Sequence, residues 1–170
     1  MAGASNRAAR SMIERTNATA IIGSVQGRWG DGASRPEALR YLGGALYRLN
    51  QHAADLGTTL LYEPLNRYET NLVNTLGDAV TFLGGLGVGS VKVLADLYHM
   101  NIEEANLADA LRGAGRWVGH VHFADSNRRA AGFGHTDFLP VVAALVPGAA
   151  MGLAWGRSRR PLWIAVGAVL

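Results

Sequence analysis

Strand-like and helix-like runs alternate four times between residues 18 and 145, and this alternation restricts the fold more than any other feature. Residues 18–25 (ATAIIGSV) form a continuous apolar run, the pattern of a strand covered on both faces. After a loop at 27–32, Ser34-Arg35-Pro36-Glu37 has the form of a capping box. Leu39, Leu42, Leu46, Leu49, Ala53 and Leu56 then keep helical spacing as far as Gly57. The pattern repeats: a strand over 58–63, a helix capped at Thr75, a strand over 91–96 (VKVLAD) and a helix capped within 101–104 that carries Leu107 and Leu111. A strand over 117–124 (WVGHVHFA) and a helix from Thr136 or Asp137 through Leu145 complete the series. Residues 4–16 read as the end of a helix, and 152–155 as a short strand. Such alternation with short links predicts an α/β fold built on a parallel sheet. The glycine run at 84–89 follows a helix and precedes a strand, the reverse of the order a phosphate cradle needs.

Composition narrows the function classes. The 170 residues suffice for one domain with a real core, and 49% hydrophobic against 17% charged content is globular. With no cysteine, disulfides, zinc–thiolate sites and thiol chemistry are excluded. Arg157, Arg159 and Arg160 carry the whole net charge of +3, and Lys92 is the single lysine. The balanced body argues against a nucleic-acid partner, including a nuclease role. No long apolar run stands near Arg7, Arg10 and Glu14, and the apolar run at 161–170 is about half the length needed to cross a bilayer. The expectation is a cytoplasmic protein with no membrane partner.

Three successive strands end in metal-ligand residue types: Glu63, Asp96 and the pair His120/His122. In parallel α/β folds, functional groups collect at the C-terminal ends of strands. Pro64 ends the strand directly after Glu63, because proline has no N–H to donate. A carboxylate there needs a cationic neighbour, and the plain alternative to a site is a Glu63–Arg67 pair. Alternation predicts His120 and His122 on one face, with Gly119 and Val121 on the other. Two carboxylates and an imidazole at one rim suit a hard or borderline divalent cation. His99 and Arg128 fall within reach of the same mouth.

The runs YEPLNRYETNL (62–72), ADLYHMN (95–101) and GHVHFADSNRR (119–129) resemble the xylose isomerase-like TIM-barrel family of sugar isomerases and epimerases. The resemblance is to its ketose 3-epimerase and hydroxypyruvate isomerase types, and it covers roughly residues 5–145. It implies a partial (β/α)8 TIM barrel of four to five parallel strands with flanking helices over residues 1–147, followed by an atypical tail at 148–170. By position it implies Glu63 as catalytic carboxylate and metal ligand, with Asp96 and His122 as further ligands. Glu69, His99 and Arg128 would hold substrate oxygens, and His120 would support or pack. The implied cofactor is a divalent metal, Mn²⁺ foremost, with Mg²⁺ and Co²⁺ as alternatives. The implied substrate is a small sugar or hydroxy-keto compound.

The resemblance also sets an expectation of truncation at both ends. The strand at 18–25 corresponds to the family's fourth. The family's last strand carries a second catalytic Glu, whereas 146–170 contains no acid and places Arg157 near that position. Open sheet edges would then offer a route to self-association. Two outcomes follow: an isomerase or epimerase acting by proton abstraction next to a ketose carbonyl, or an inactive fragment retaining part of the metal site.

Overall fold

The computed structural model describes residues 19–30, 32–154 and 164–165; the helix expected over 4–16 lies outside them. Five strands form one sheet: β1 (Ile21–Ile22), β2 (Leu60–Tyr62), β3 (Val91–Asp96), β4 (Val118–His122) and β5 (Ile164–Ala165). Spatial order equals chain order, and each neighbouring pair is parallel. Every crossover therefore steps in the same direction. That is the winding of a barrel arc; a doubly wound sheet reverses direction part-way. The α/β partial-barrel expectation holds.

Five α-helices accompany the strands: α1 (Arg35–Asp55), α2 (Leu76–Leu86), α3 (Leu97–Glu103), α4 (Leu107–Ala114) and α5 (Phe138–Ala154). Their starts follow local chemistry. The Ser34 N–H and hydroxyl both donate to the Glu37 carboxylate, at 2.9 and 2.6 Å, ahead of α1. The Thr75 hydroxyl accepts the Asp78 N–H at 3.1 Å to cap α2. The cap of α4 is Asn106, whose Oδ1 accepts the Asp109 N–H at 3.0 Å, so the cap expected within 101–104 falls inside and just after an additional helix, α3. No helix among the described residues is long and apolar enough to cross a membrane.

Val91, Val93, Ala95 and Val121 present the sheet's helix-facing side. They pack with Leu46 of α1, Ala79 and Leu83 of α2, Leu111 of α4 and Val141 of α5 in one cluster, each at most 2% exposed. Burial of the Val and Leu side chains contributes about 1.5–3 kcal/mol each and holds helices to sheet.

Two expectations are corrected. Over 18–25 only Ile21 and Ile22 pair as strand, and Ser24–Gln26 turns into a 3-10 helix. Ile21 is 43% exposed, because β1 has no further strand on its outer edge among the described residues, and Val25, in the 3-10 helix, is 77% exposed. Residues 152–154 belong to α5, and the strand beside β4 is Ile164–Ala165.

Candidate metal centre

Glu63 leaves β2 with its N–H bonded to the Ile22 carbonyl at 2.9 Å, which sets it at the rim beside the end of β1. Gln26 secures this corner from below. Its buried amide donates to the carbonyls of Gly23 (3.0 Å) and Glu63 (3.1 Å), and its Oε1 accepts the Tyr62 hydroxyl at 2.6 Å. A Cβ on Gly23 would lie 2.7 Å from Glu63 Oε2, so glycine there leaves room for the carboxylate. The Glu63–Arg67 pair does not form. Arg67 bonds Glu103 instead, with Nε to Oε1 at 3.0 Å.

Asp96 divides its two oxygens between structure and site. Oδ1 accepts the N–H groups of Tyr98 (2.8 Å) and His99 (3.4 Å) and so caps α3. Oδ2 lies 3.1 Å from His122 Nδ1, which is itself 3.8 Å from Glu63 Oε1.

A bulge in β4 produces this alignment. Val93 pairs with Val118 but Leu94 pairs with His120, so Gly119 is an extra residue and His122 comes level with Asp96. Without the bulge, Val121 would stand opposite Asp96. His120 and His122 share a face as expected, with rings edge-to-face at 5.2 Å. Gly119, however, turns toward the Lys92 side: a Cβ there would fall 2.5 Å from Lys92 Cβ and 3.1 Å from Leu61 Cδ2. The bulge breaks alternation at this residue, and only glycine fits the approach.

Beside these groups lie Glu69, His99 and Arg128. Glu69 Oε1 is 4.0 Å from His99 Nδ1 and 3.4 Å from Arg128 Nη1. Arg128 also stacks over Tyr98 at 5.1 Å and sits at φ 62°, an unusual backbone state for a non-glycine residue. Asp125 holds the turn that allows it. This carboxylate is fully buried; Oδ1 accepts the N–H groups of Ser126 (2.7 Å) and Thr136 (3.1 Å), and Oδ2 those of Gly132 (2.9 Å) and Gly134 (2.8 Å).

Among the described residues, ligand atoms of Glu63, Asp96 and His99 all lie within 4.8 Å of one another. The electrostatics fit a cation. Burial, then the charge of Asp96, push Glu63 up to about 7. Burial alone would raise Asp96 as well, but the His122 hydrogen bond, the charges of His99 and His122 and the Tyr98 amide hold it low. Its bond to Asp96 raises His122, whereas burial lowers His99 and His120. Two crowded carboxylates with imidazole nearby form an oxygen-rich set suited to a divalent ion.

Sequence reasoning missed Gly23, Gln26, Asn66 and Asp125. A polar Gln closing an apolar run, and an Asp three residues after His122, are the available signals.

Comparison with known proteins places this geometry. The model of the xylose isomerase-like TIM barrel family matches residues 3–154. The chain belongs to that family. It is similar to L-ribulose 3-epimerase of Methylomonas sp. (strain DH-1), 37% identical over 125 residues, covering 74% of this chain and 43% of the relative. It is similar also to 3-dehydro-D-guloside 4-epimerase of Escherichia coli (strain K12), 47% identical over 90 residues, covering 53% and 34%. Among solved structures, D-psicose 3-epimerase with D-tagatose from Clostridium cellulolyticum H10 superposes with a TM-score of 0.74 at 26% identity, covering 82% of this chain and 50% of that one. This TIM-barrel chain thus spans between 34% and 50% of the length of these three proteins.

Proposed function

We propose that the chain carries the proton-abstraction site of a metal-dependent ketose epimerase. The observation that carries this reading is the convergence of Glu63, Asp96 and His122 at the C-terminal rim of a parallel barrel arc, with His122 Nδ1 3.1 Å from Asp96 Oδ2 and 3.8 Å from Glu63 Oε1 and His99 beside them. The three relatives named above are epimerases, which favours epimerisation over isomerisation of hydroxypyruvate.

Glu63, Asp96 and His122 are the residues that would hold the ion, and Mn²⁺ suits their mixed oxygen and nitrogen set. When bound, it would polarise the ketose carbonyl and offset negative charge on its oxygen. In the ion-free chain burial and Asp96 push Glu63 up to about 7; beside a bound cation Glu63 would stay ionised, the form a base needs. Its carboxylate takes the proton from the carbon beside the carbonyl. The C–H electron pair forms a carbon–carbon double bond as the carbonyl electrons move onto oxygen. Arg128 and His99 donate to substrate oxygens, while Glu69 accepts from a hydroxyl and orients Arg128. Return of a proton to the opposite face inverts the centre and requires a second acid beyond the three rim acids. Exposed Ile21, on the edge of β1 that no further strand pairs among the described residues, favours self-association there.

The test is incubation of the chain with Mn²⁺ and D-tagatose in D₂O, read by NMR. Deuterium at C3 supports the site, and deuterium with inversion supports the complete epimerase. Metal binding without deuterium uptake overturns the catalytic reading in favour of an inactive fragment that keeps a metal site.

A further inference from the structure

We infer that Asn66 sets the tautomer of His99, fixing it as a hydrogen-bond donor through Nε2 and removing it from the metal ligands. The inference deepens the sugar-site reading above and rests on it for the identity of the acceptor.

The imidazole of His99 is 2% exposed, and its Nδ1 meets two groups of Asn66: the backbone N–H at 3.2 Å and the side-chain nitrogen at 2.8 Å. A backbone N–H can only donate, so Nδ1 is an acceptor. The amide orientation is fixed in the same way. Asn66 Oδ1 accepts the Tyr68 N–H at 3.0 Å, which leaves the NH₂ group facing the ring. Asn66 itself is 1% exposed, and its carbonyl accepts the N–H groups of Glu69 (3.0 Å) and Thr70 (3.1 Å). The residue is held on every polar atom and cannot turn to suit a different ring.

In the neutral ring the proton therefore sits on Nε2. No hydrogen bond among the described residues engages Nε2. Yet among the described residues no fully buried side-chain nitrogen or oxygen lacks a partner, so Nε2 reaches the accessible surface. Ligation of a metal through Nδ1 would displace both Asn66 donors. Ligation through Nε2 would drive the proton to Nδ1, against two N–H groups, with the cost of burying unpaired donors. What remains is an N–H donor on a ring held almost immobile beside Glu63 and Asp96. An oxygen-bearing substrate, through a hydroxyl or carbonyl oxygen, satisfies it. Asn66 is thus a positioning residue.

The test uses the whole chain, metal-free, labelled with ¹⁵N-histidine and examined by long-range ¹H–¹⁵N NMR. Loss of one set of signals in His99→Gln identifies His99 among the five histidines. The parent is expected to show an unprotonated Nδ1 and a protonated Nε2. In Asn66→Asp, an acceptor replaces the amide donor of the shorter contact (2.8 Å), and Nδ1 is expected to become protonated, the longer backbone contact (3.2 Å) giving way. His99→Gln keeps a donor near the Nε2 position, and its Mn²⁺ affinity is expected to stay within about 3-fold of the parent, short of the roughly 10–100-fold that even supporting residues around a metal cost. A protonated Nδ1 in the parent overturns the inference even if Asn66→Asp fails to fold. So does an unchanged tautomer in a folded Asn66→Asp, or a 100-fold loss of Mn²⁺ affinity in His99→Gln. The NMR readout needs neither metal nor turnover, so its failure is separable from failure of the epimerase reading.

Discussion

A Glu63→Gln chain is expected to incorporate deuterium at the ketose C3 about 10²–10⁴-fold more slowly than its parent, the range that a positioned general base supplies. The amide has nearly the shape of the carboxylate, so the Gly23 contact and the Glu63 N–H bond to Ile22 survive the exchange. What is lost is the site's capacity to accept a proton. In the ion-free chain burial, then Asp96, lift Glu63 to about 7, so its carboxylate takes up a proton more readily than an exposed one. The same substitution removes one anion from the crowded rim, so Mn²⁺ affinity is measured alongside and the exchange rate compared at saturating metal. An unchanged rate would remove Glu63 from the mechanism.

Asp125→Asn is expected to be the most destabilising conservative change, on the order of 3 kcal/mol by chemical denaturation at pH 7. Four backbone N–H groups converge on the two carboxylate oxygens, and an NH₂ in place of either oxygen faces two of them. Although burial opposes the charge, the amides of Gly134, Thr136 and Ser126 and the Thr136 hydroxyl hold Asp125 well below the usual carboxylate range. A carboxyl depressed on folding contributes stability that is fully present above its unfolded pKa of about 3.9 and is lost as pH falls below it. The gap between parent and variant should therefore stay constant from pH 8 to pH 5 and narrow below about pH 4. A gap that widens in acid would contradict this role. Because residues 125–136 carry Arg128 in its left-handed state, the variant should also loosen the Arg128–Glu69 contact.

Local chemistry was legible in the sequence. Val91–Asp96 is a strand over its full expected span, since VKVLAD ends at a residue able to cap the next helix. Ser34 and Thr75 start helices where their side chains meet an acid or amide three residues on. Features set by pairing were not legible. The apolar run at 18–25 reads as buried on both faces, but an outer neighbour, not the run itself, decides burial of Ile21. The bulge at Gly119 is a register shift between β3 and β4, and no pattern within β4 reveals it. Asn66 and His99 lie 33 residues apart, so their bond appears only when β2 and β3 stand side by side. Asn101 to Glu104 reads as the start of the helix carrying Leu107 and Leu111, but these residues end and follow α3, which Asp96 caps, and Asn106 caps α4.

The central claim is that this arc of a barrel assembles a metal site at its rim. Its most direct measurement is calorimetric titration of the metal-free chain with Mn²⁺ beside Asp96→Ala. The expected result is saturable binding at one site, weakened at least about 100-fold in the variant, because an Asp96 carboxylate oxygen is among the converging ligand atoms. No saturable binding, or equal affinity in both chains, would contradict the claim.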